Sequence, residues 1–252
     1  MLPLSVLVIA KNEEANLEDC LASCRFAEEM LVVDAGSADR TAEIARAAGA
    51  RVLEHAFESH AKQKNWGLGQ LAHDWVLVVD ADERVPELLA QEIRALLLQS
   101  SGPPRGGYWI YRRSTFLGRE IRGAGWQRDR VLRFFDRRRA RYEERLVHEE
   151  VDLGEPAGVL HHRLLHHPCR DLTSWIEKVN RYATQGAREA WSRGERATLV
   201  SLLLRPPSRF AKQYVLQCGF RDGWEGLLLC AISAFGVFLK YAKLRELARS
   251  RS

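Results

Sequence analysis

The sequence predicts an α/β fold: an open, mostly parallel mixed sheet flanked by helices, with a helical extension at the C-terminus. Three observations carry this. Short β-branched runs alternate with helical patterns through the first 80 residues, the signature of βαβ units. Two of those runs end on carboxylates, one at Asp34 and one at Asp80 and Asp82, and open α/β sheets take their ligands at the C-terminal edge of the strands. From Asp171 onward the pattern is helical, interrupted by glycines.

Taken in order, strands are expected at residues 5–10, 30–34, 51–54 and 75–80, with helices between them at 13–26, 40–48 and 60–71. A helix over 86–99 follows, with Pro86 suited to its first turn because a missing N–H costs nothing there. The turn-rich stretch 100–107, SSGPPRGG, ends it. Residues 108–113, 130–135 and 159–166 read as further strands, completing a first domain over 1–170. Helices at 172–193, 207–218 and 224–249 form the extension, 171–252. Its apolar runs, 199–204 and 227–239, are flanked by Arg205, Arg209, Lys212, Lys240, Lys243 and Arg245. That suits either a layer lying on an anionic membrane or a helical cap packed on the sheet.

Composition narrows the function classes. A chain of 252 residues can bury a sizeable core, and 46% hydrophobic against 28% charged residues argues against a disordered or fibrous chain. The five cysteines are odd in number and lack a CxxC pair, which suggests neither a disulfide framework nor a zinc site and fits a reducing cytoplasm. The N-terminus enters a strand-like run directly, so no secretory signal is expected. The longest apolar run, 226–239, is shorter than the roughly 20 residues that cross a bilayer as a helix. The formal charge is +5, with eight arginines between residues 128 and 145. Such a patch suits phosphate on a nucleotide, a nucleic acid or a lipid, or is simply a solvated basic loop.

Asp80-Ala81-Asp82 is the most informative motif because it follows the apolar run 75–79. Carboxylates at such a strand end can hold Mg²⁺ or Mn²⁺, which bridges diphosphate oxygens; solvated turn carboxylates are the plain alternative. Asp34 ends a second strand and suits hydrogen bonding to a base or ribose. After it, Gly36 permits a tight turn, while Ser37 and Asp39 read as helix caps.

Residues 6–14 (VLVIAKNEE), 32–41 (VVDAGSADRT), 62–68 (KQKNWGL) and 76–83 (VLVVDADE) together resemble family 2 glycosyltransferases. The likeness extends to 125–135 (GWQRDRVLRFF), 146–151 (LVHEEV), the His166 region and 219–227 (GFRDGWEGL). Within that family the chain looks like the lipopolysaccharide core branch, which resembles β-1,4-glucosyltransferases acting on inner-core heptose.

The resemblance implies a GT-A, Rossmann-like fold and a set of roles. Ala10, Asn12, Glu13 and Asp34 would hold the donor nucleoside, and Lys64 would lie near the donor phosphates. Asp80 would touch the donor sugar or ribose, while Asp82 would ligate a divalent metal, Mg²⁺ or Mn²⁺, with His166 as a further ligand or merely a structural histidine. Glu149 would be the general base, with His148 its rival, and a single base implies inversion at the anomeric carbon. Trp126 suits either stacking on an acceptor sugar or burial. The implied donor is a UDP-sugar, with glucose expected, and the acceptor a glycan or glycolipid such as the lipopolysaccharide inner core. No nucleic-acid partner is expected, and the implied location is the cytoplasmic face of the inner membrane. Arg133-Phe134-Phe135 stands where the family usually has Arg-Leu-Phe, and Pro168-Cys169 follows His166 where an aromatic-containing stretch is more common. Both changes leave the carboxylates in place and acceptor identity open.

Two other classes fit parts of the pattern. A phosphohydrolase that forms an aspartyl-phosphate would use Asp80 as nucleophile and Asp82 as acid, but those enzymes carry the motif on their first strand, and here it falls on the fourth. A non-enzymatic nucleic-acid or membrane module would use the basic patch and the seven tryptophans, without a recognised nucleic-acid motif to support it.

Overall fold

The computed structural model describes residues 3–143 and 150–249. The chain divides into two compact units, Met1–Arg112 with Arg130–His166, and Arg113–Asp129 with His167–Ser252.

In the first unit β1 (Leu4–Ala10), β2 (Glu29–Asp34), β3 (Arg51–Glu54) and β4 (Trp75–Asp80) form a parallel block in the order β3-β2-β1-β4. The sheet continues antiparallel through β8 (Arg130–Asp136) to β6 (Gly107–Phe116). The central strands read as unbroken apolar runs because both of their faces are covered. Leu4, Val6, Val8, Val32, Leu77 and Val79 pack on one face with Leu17, Cys20 and Leu21 of α1 (Leu17–Ser23) and Ala45 of α2 (Thr41–Ala47). Leu7, Leu31, Val33, Val76 and Val78 pack on the other with Ala61 and Leu68 of α3 (His60–Gly69). The period of two in β1, β2 and β4 thus assigns each side chain its face. The expected α/β fold, a mixed sheet flanked by helices with helices at the C-terminus, is the one observed.

Several elements differ from the expectation, each for a local reason. Helix α1 begins only at Leu17 because the Glu13 and Glu14 N–H groups are turned toward Thr41 and Asp39. Helix α4 (Glu87–Leu97) begins after Pro86, which is extended and serves as N-cap rather than as the first helical residue. Residues 159–166 are not one strand. They hold β11 (Gly158–Val159), a bend, and β12 (Leu164–His166). Glu92 of α4 clamps the bend, accepting from the His161 and His162 N–H groups at 2.8 and 2.9 Å. Burial opposes that carboxylate's ionisation, but these donors outweigh it and hold its pKa to about 2. The two-residue strand β5 (Glu83–Arg84) was not foreseen and pairs antiparallel with β12.

The second unit is built on α5 (Leu172–Ser192), α6 (Leu199–Ala211) and α7 (Gly223–Arg249). Helix α6 starts eight residues before the expected Pro207, because Thr198 and Ser201 form a reciprocal cap, and it carries Pro206 and Pro207 inside it before a π-type turn at Lys212–Leu216. Helix α7 is long and apolar enough to cross a membrane by length and composition, longer than the apolar run had suggested. Here its Leu229, Cys230, Ile232, Tyr241 and Leu244 are core residues. The segment 113–129, which contains β7 (Arg119–Glu120), joins this unit because Arg122 and Gly123 donate N–H bonds to Asp222, at 2.9 and 2.7 Å.

Two glycines on these helices make an opposite-signed test. A Cβ on Gly226 would lie 2.1 Å from the Gly219 carbonyl oxygen, a backbone atom, whereas on Gly186 it meets only the Lys240 stem at 3.4 Å. We expect Gly226→Ala to destabilise by about 1–3 kcal/mol through overpacking, and Gly186→Ala to stabilise by about 0.5–1 kcal/mol by restricting the unfolded helix. Urea unfolding of the two variants reads both signs.

Candidate functional site

The strand order 3-2-1-4 reverses direction between β1 and β4, and a crevice forms at the carboxyl ends where an open sheet does so. Register places Ala10 opposite Asp34 and Ile9 opposite Asp80, so three neighbouring strand ends deliver their residues to one edge. The loops that follow β1 and β2 are stitched together. The Asn12 N–H donates to the Ser37 hydroxyl at 2.9 Å, the Ala38 N–H donates to Asn12 Oδ1 at 2.8 Å, and the Glu13 N–H donates to Thr41 Oγ1 at 2.8 Å. Asn12 accordingly sits at φ 55, a left-handed conformation that Asn tolerates better than most residues. Asp34 is buried and accepts both the N–H and the hydroxyl of Ser37. Ser37 is therefore a clamp on the β2 turn more than a helix cap.

A charged network forms at the end of β4. Lys64, 1% exposed, reaches from α3 to Asp80 Oδ1 at 3.3 Å. Arg133 of β8 bonds Asp80 Oδ2 and lies 3.8 Å from Glu83 Oε1. Arg112 of β6 donates to the same Glu83 oxygen at 3.2 Å, and Glu83 Oε2 accepts the Asp80 N–H at 2.9 Å. Burial opposes ionisation of Asp80, but Arg133, Lys64 and Arg112 outweigh it and hold its carboxyl far below the usual range. For Glu83, wholly buried, burial wins over Arg133 and moves its carboxyl upward.

The motif's second carboxylate faces elsewhere. Asp82 Oδ2 lies 3.7 Å from His166 Nε2, because the β5–β12 pairing sets His166 opposite Glu83. Among the described residues no group of three or more His, Cys, Asp or Glu side chains is placed to hold a metal by itself. One carboxylate and one imidazole nevertheless suit Mg²⁺ or Mn²⁺, hard cations that take few protein ligands and complete their shell with substrate phosphate and water.

Glu149 and His148 lie outside the described residues. Their flanks are described: β9 (Arg141–Tyr142) pairs antiparallel with β10 (Val151–Asp152). Asn65 holds Tyr142 by two backbone bonds, at 2.8 and 3.0 Å. The Tyr142 ring lies 5.2 Å from Lys64 Nζ, so these flanks sit beside the helix that carries Lys64. Trp126 belongs to the second unit, where it packs edge-on against Phe116 and Trp175. Reading the sequence missed Glu83, Arg112 and Arg133 as site residues. Glu83 and Arg133 lie in segments that carry the family resemblance, 76–83 and 125–135, and Arg133 sits in an apolar strand where an unpaired cation would be costly; Arg112 carried no signal beyond its residue type.

Removing Arg133 should expose how the network is balanced. Arg133→Met leaves two neighbouring carboxylates short of a guanidinium, and breaking a buried pair costs about 3 kcal/mol at the lower end of its range, the end appropriate to an Asp80 side chain 32% exposed. Asp80's folded pKa lies below its unfolded value, so in the native protein its contribution is complete above the unfolded value and lost as pH falls further. In the variant that pKa rises, so the stability gap between the two proteins should narrow from pH 7 toward pH 4. Equal gaps at both pH values in urea unfolding would contradict this.

Known proteins are similar to this chain in sequence. Residues 5–143, more than half of the chain, match the sequence profile described as Glycosyl transferase family 2. The lipopolysaccharide core biosynthesis glycosyltransferase LpsC of Rhizobium meliloti (strain 1021) is 31% identical, over 97% of this chain and 93% of that protein. The uncharacterized glycosyltransferase RT0209 of Rickettsia typhi (strain ATCC VR-144 / Wilmington) is 25% identical, over 98% and 88%. Among solved structures, glucosyl-3-phosphoglycerate synthase from Mycobacterium tuberculosis, in complex with Mn²⁺, UDP and glucosyl-3-phosphoglycerate, is 26% identical with a TM-score of 0.37. That match spans 46% of this chain and 45% of the synthase chain. With its family profile and its full-length relative in agreement, the chain belongs to glycosyl transferase family 2.

Proposed function

We propose that this enzyme transfers a sugar, with glucose expected, from a UDP-linked donor to a glycan or lipid-linked acceptor such as the lipopolysaccharide inner core, inverting the anomeric centre. The observation that carries the reading is the meeting of Asp34 and Asp80 at one sheet edge, with Lys64 and Arg133 on Asp80 and with Asp82 two residues on, 3.7 Å from His166. Family membership supplies the reaction class, and the name of the R. meliloti relative supports the acceptor class.

On this reading the loop 10–13 and Asp34 hold the nucleoside, and Lys64 faces the diphosphate. Asp80, fixed by Lys64 and Arg133, orients the donor sugar or ribose without competing for protons. Asp82 and His166 hold Mg²⁺ or Mn²⁺, which when bound neutralises charge on the departing diphosphate. Glu149 takes the proton of the acceptor hydroxyl as that oxygen bonds the anomeric carbon. The bond from that carbon to the diphosphate breaks with its electron pair leaving on UDP. Trp126 is a proposed acceptor contact. The enzyme would act in the cytoplasm, at the inner face of the membrane.

The decisive measurement is release of UDP from UDP-sugars in the presence of acceptor, with the anomer of the product read by NMR. EDTA should abolish turnover. Asp82→Ala should weaken metal-dependent UDP binding in calorimetry, and unchanged affinity would remove Asp82 from the metal site. Glu149→Gln should keep donor affinity and lose a factor of about 10² to 10⁴ in rate, the usual cost of a missing general base. Near-native turnover in Glu149→Gln with a dead His148→Ala would transfer the role to His148.

A further inference from the structure

We propose that α6 is an in-plane membrane anchor whose outward face inserts at the acyl–headgroup boundary of an anionic lipid bilayer. Its orientation in the second unit is fixed by what it turns inward. Ser201 is buried, Leu202 packs against the Ala187, Ala190, Tyr241 and Leu244 cluster, and Phe210 packs against the cluster of Phe116, Leu229 and Cys230. Arg205 bonds the Tyr241 hydroxyl and Arg209 donates to the Ser233 hydroxyl at 3.3 Å.

The face left outside is apolar. Leu199, Val200, Leu203 and Leu204 are 62%, 63%, 69% and 62% exposed, and Pro207 and Ala211 continue their stripe. At 100° per residue these six positions cover an arc of about 140°, with Phe210 near one edge of it turned inward, and two arginines are directed toward α7 instead. A surface helix of a soluble protein distributes the other way, with its apolar stripe inward. Downstream, Val215, Leu216, Phe220 and Trp224 are exposed as well.

Charge decides what covers this face. From residue 196 to residue 221 the chain carries not one Asp or Glu, and with Arg205 and Arg209 turned to α7 and Arg196 over the Trp191 ring, the cations left to border the face are Lys212 and Arg221. A protein partner of ordinary composition has no need of such a one-signed border. An anionic lipid surface does, since apolar side chains enter the interface while flanking cations meet headgroup phosphate. Pro206 and Pro207 cannot donate to the Leu202 and Leu203 carbonyls, so the regular helical ladder is interrupted there. This surface is independent of the transfer reaction, and its test does not use turnover.

The test is co-sedimentation of the full chain with vesicles of phosphatidylcholine alone and with phosphatidylglycerol added. The native protein should pellet with the anionic vesicles and be partly released by high salt. Leu203→Glu combined with Leu204→Glu should abolish pelleting while circular dichroism and melting temperature stay native. Leu199→Ser with Val200→Ser is the milder second pair should the first misfold. Lys212→Glu with Arg221→Glu should weaken anionic binding by roughly fivefold or more per cation. Binding unaffected by either apolar pair would overturn the proposal, as would absence of binding to both vesicle types. So would a vesicle-free dimer that the apolar pairs convert to monomer, which would make this face an interface between two copies of the chain.

Discussion

Asp80 is a carboxylate at the end of a buried strand, and it remains ionised because cations from other elements converge on it. Lys64 comes from α3 and Arg133 from β8, each touching one oxygen. Arg112 of β6 reaches the network through Glu83. None of these cations is near Asp80 in sequence, so the network ties the parallel half of the sheet to its antiparallel half. A charge buried without these partners would cost several kcal/mol. The same partners that make Asp80 tolerable also fix where it points.

The parallel block was legible in the sequence because its signal is local. Leu4 to Ala10, Glu29 to Asp34 and Trp75 to Asp80 are apolar runs, the last two ending on aspartate, and both features can be read in a short window. The pair β5 and β12 was not legible. Two residues and three residues carry no periodicity, and their pairing depends on the bend that Glu92 imposes from a separate helix. His166 was named from resemblance, and Asp82 was found by its motif; their proximity of 3.7 Å follows from that pairing. Arg133 was seen only as one arginine of the basic patch and of the segment 125–135, because its partners lie 53 and 50 positions away at Asp80 and Glu83.

The helical region shows the complementary limit. Its apolar runs were evident, but sequence alone assigned 199–204 and 227–239 to one class. The structure separates them. Helix α7 places Leu229, Cys230 and Ile232 in a core while leaving Phe235 and Phe238 exposed, whereas α6 leaves Leu199, Val200, Leu203 and Leu204 outside. Hydrophobicity marks a surface that avoids water and is silent on whether protein or something else will cover it.

Charge counting links the two carboxylates of the motif. Lys64, Arg112 and Arg133 face Asp80 and Glu83, while Asp82 stands with His166. Each of these three cations meets a carboxylate of the protein. In the proposed reaction an arriving nucleoside diphosphate therefore finds them already paired. In the proposed reaction Asp82 and His166 answer this by recruiting a divalent cation. His166 coordinates only when neutral. The arrangement thus separates the two carboxylates of one three-residue motif: Asp80 is paired with Lys64 and Arg133, while Asp82 stands beside His166, the pair to which the proposed reaction assigns the metal.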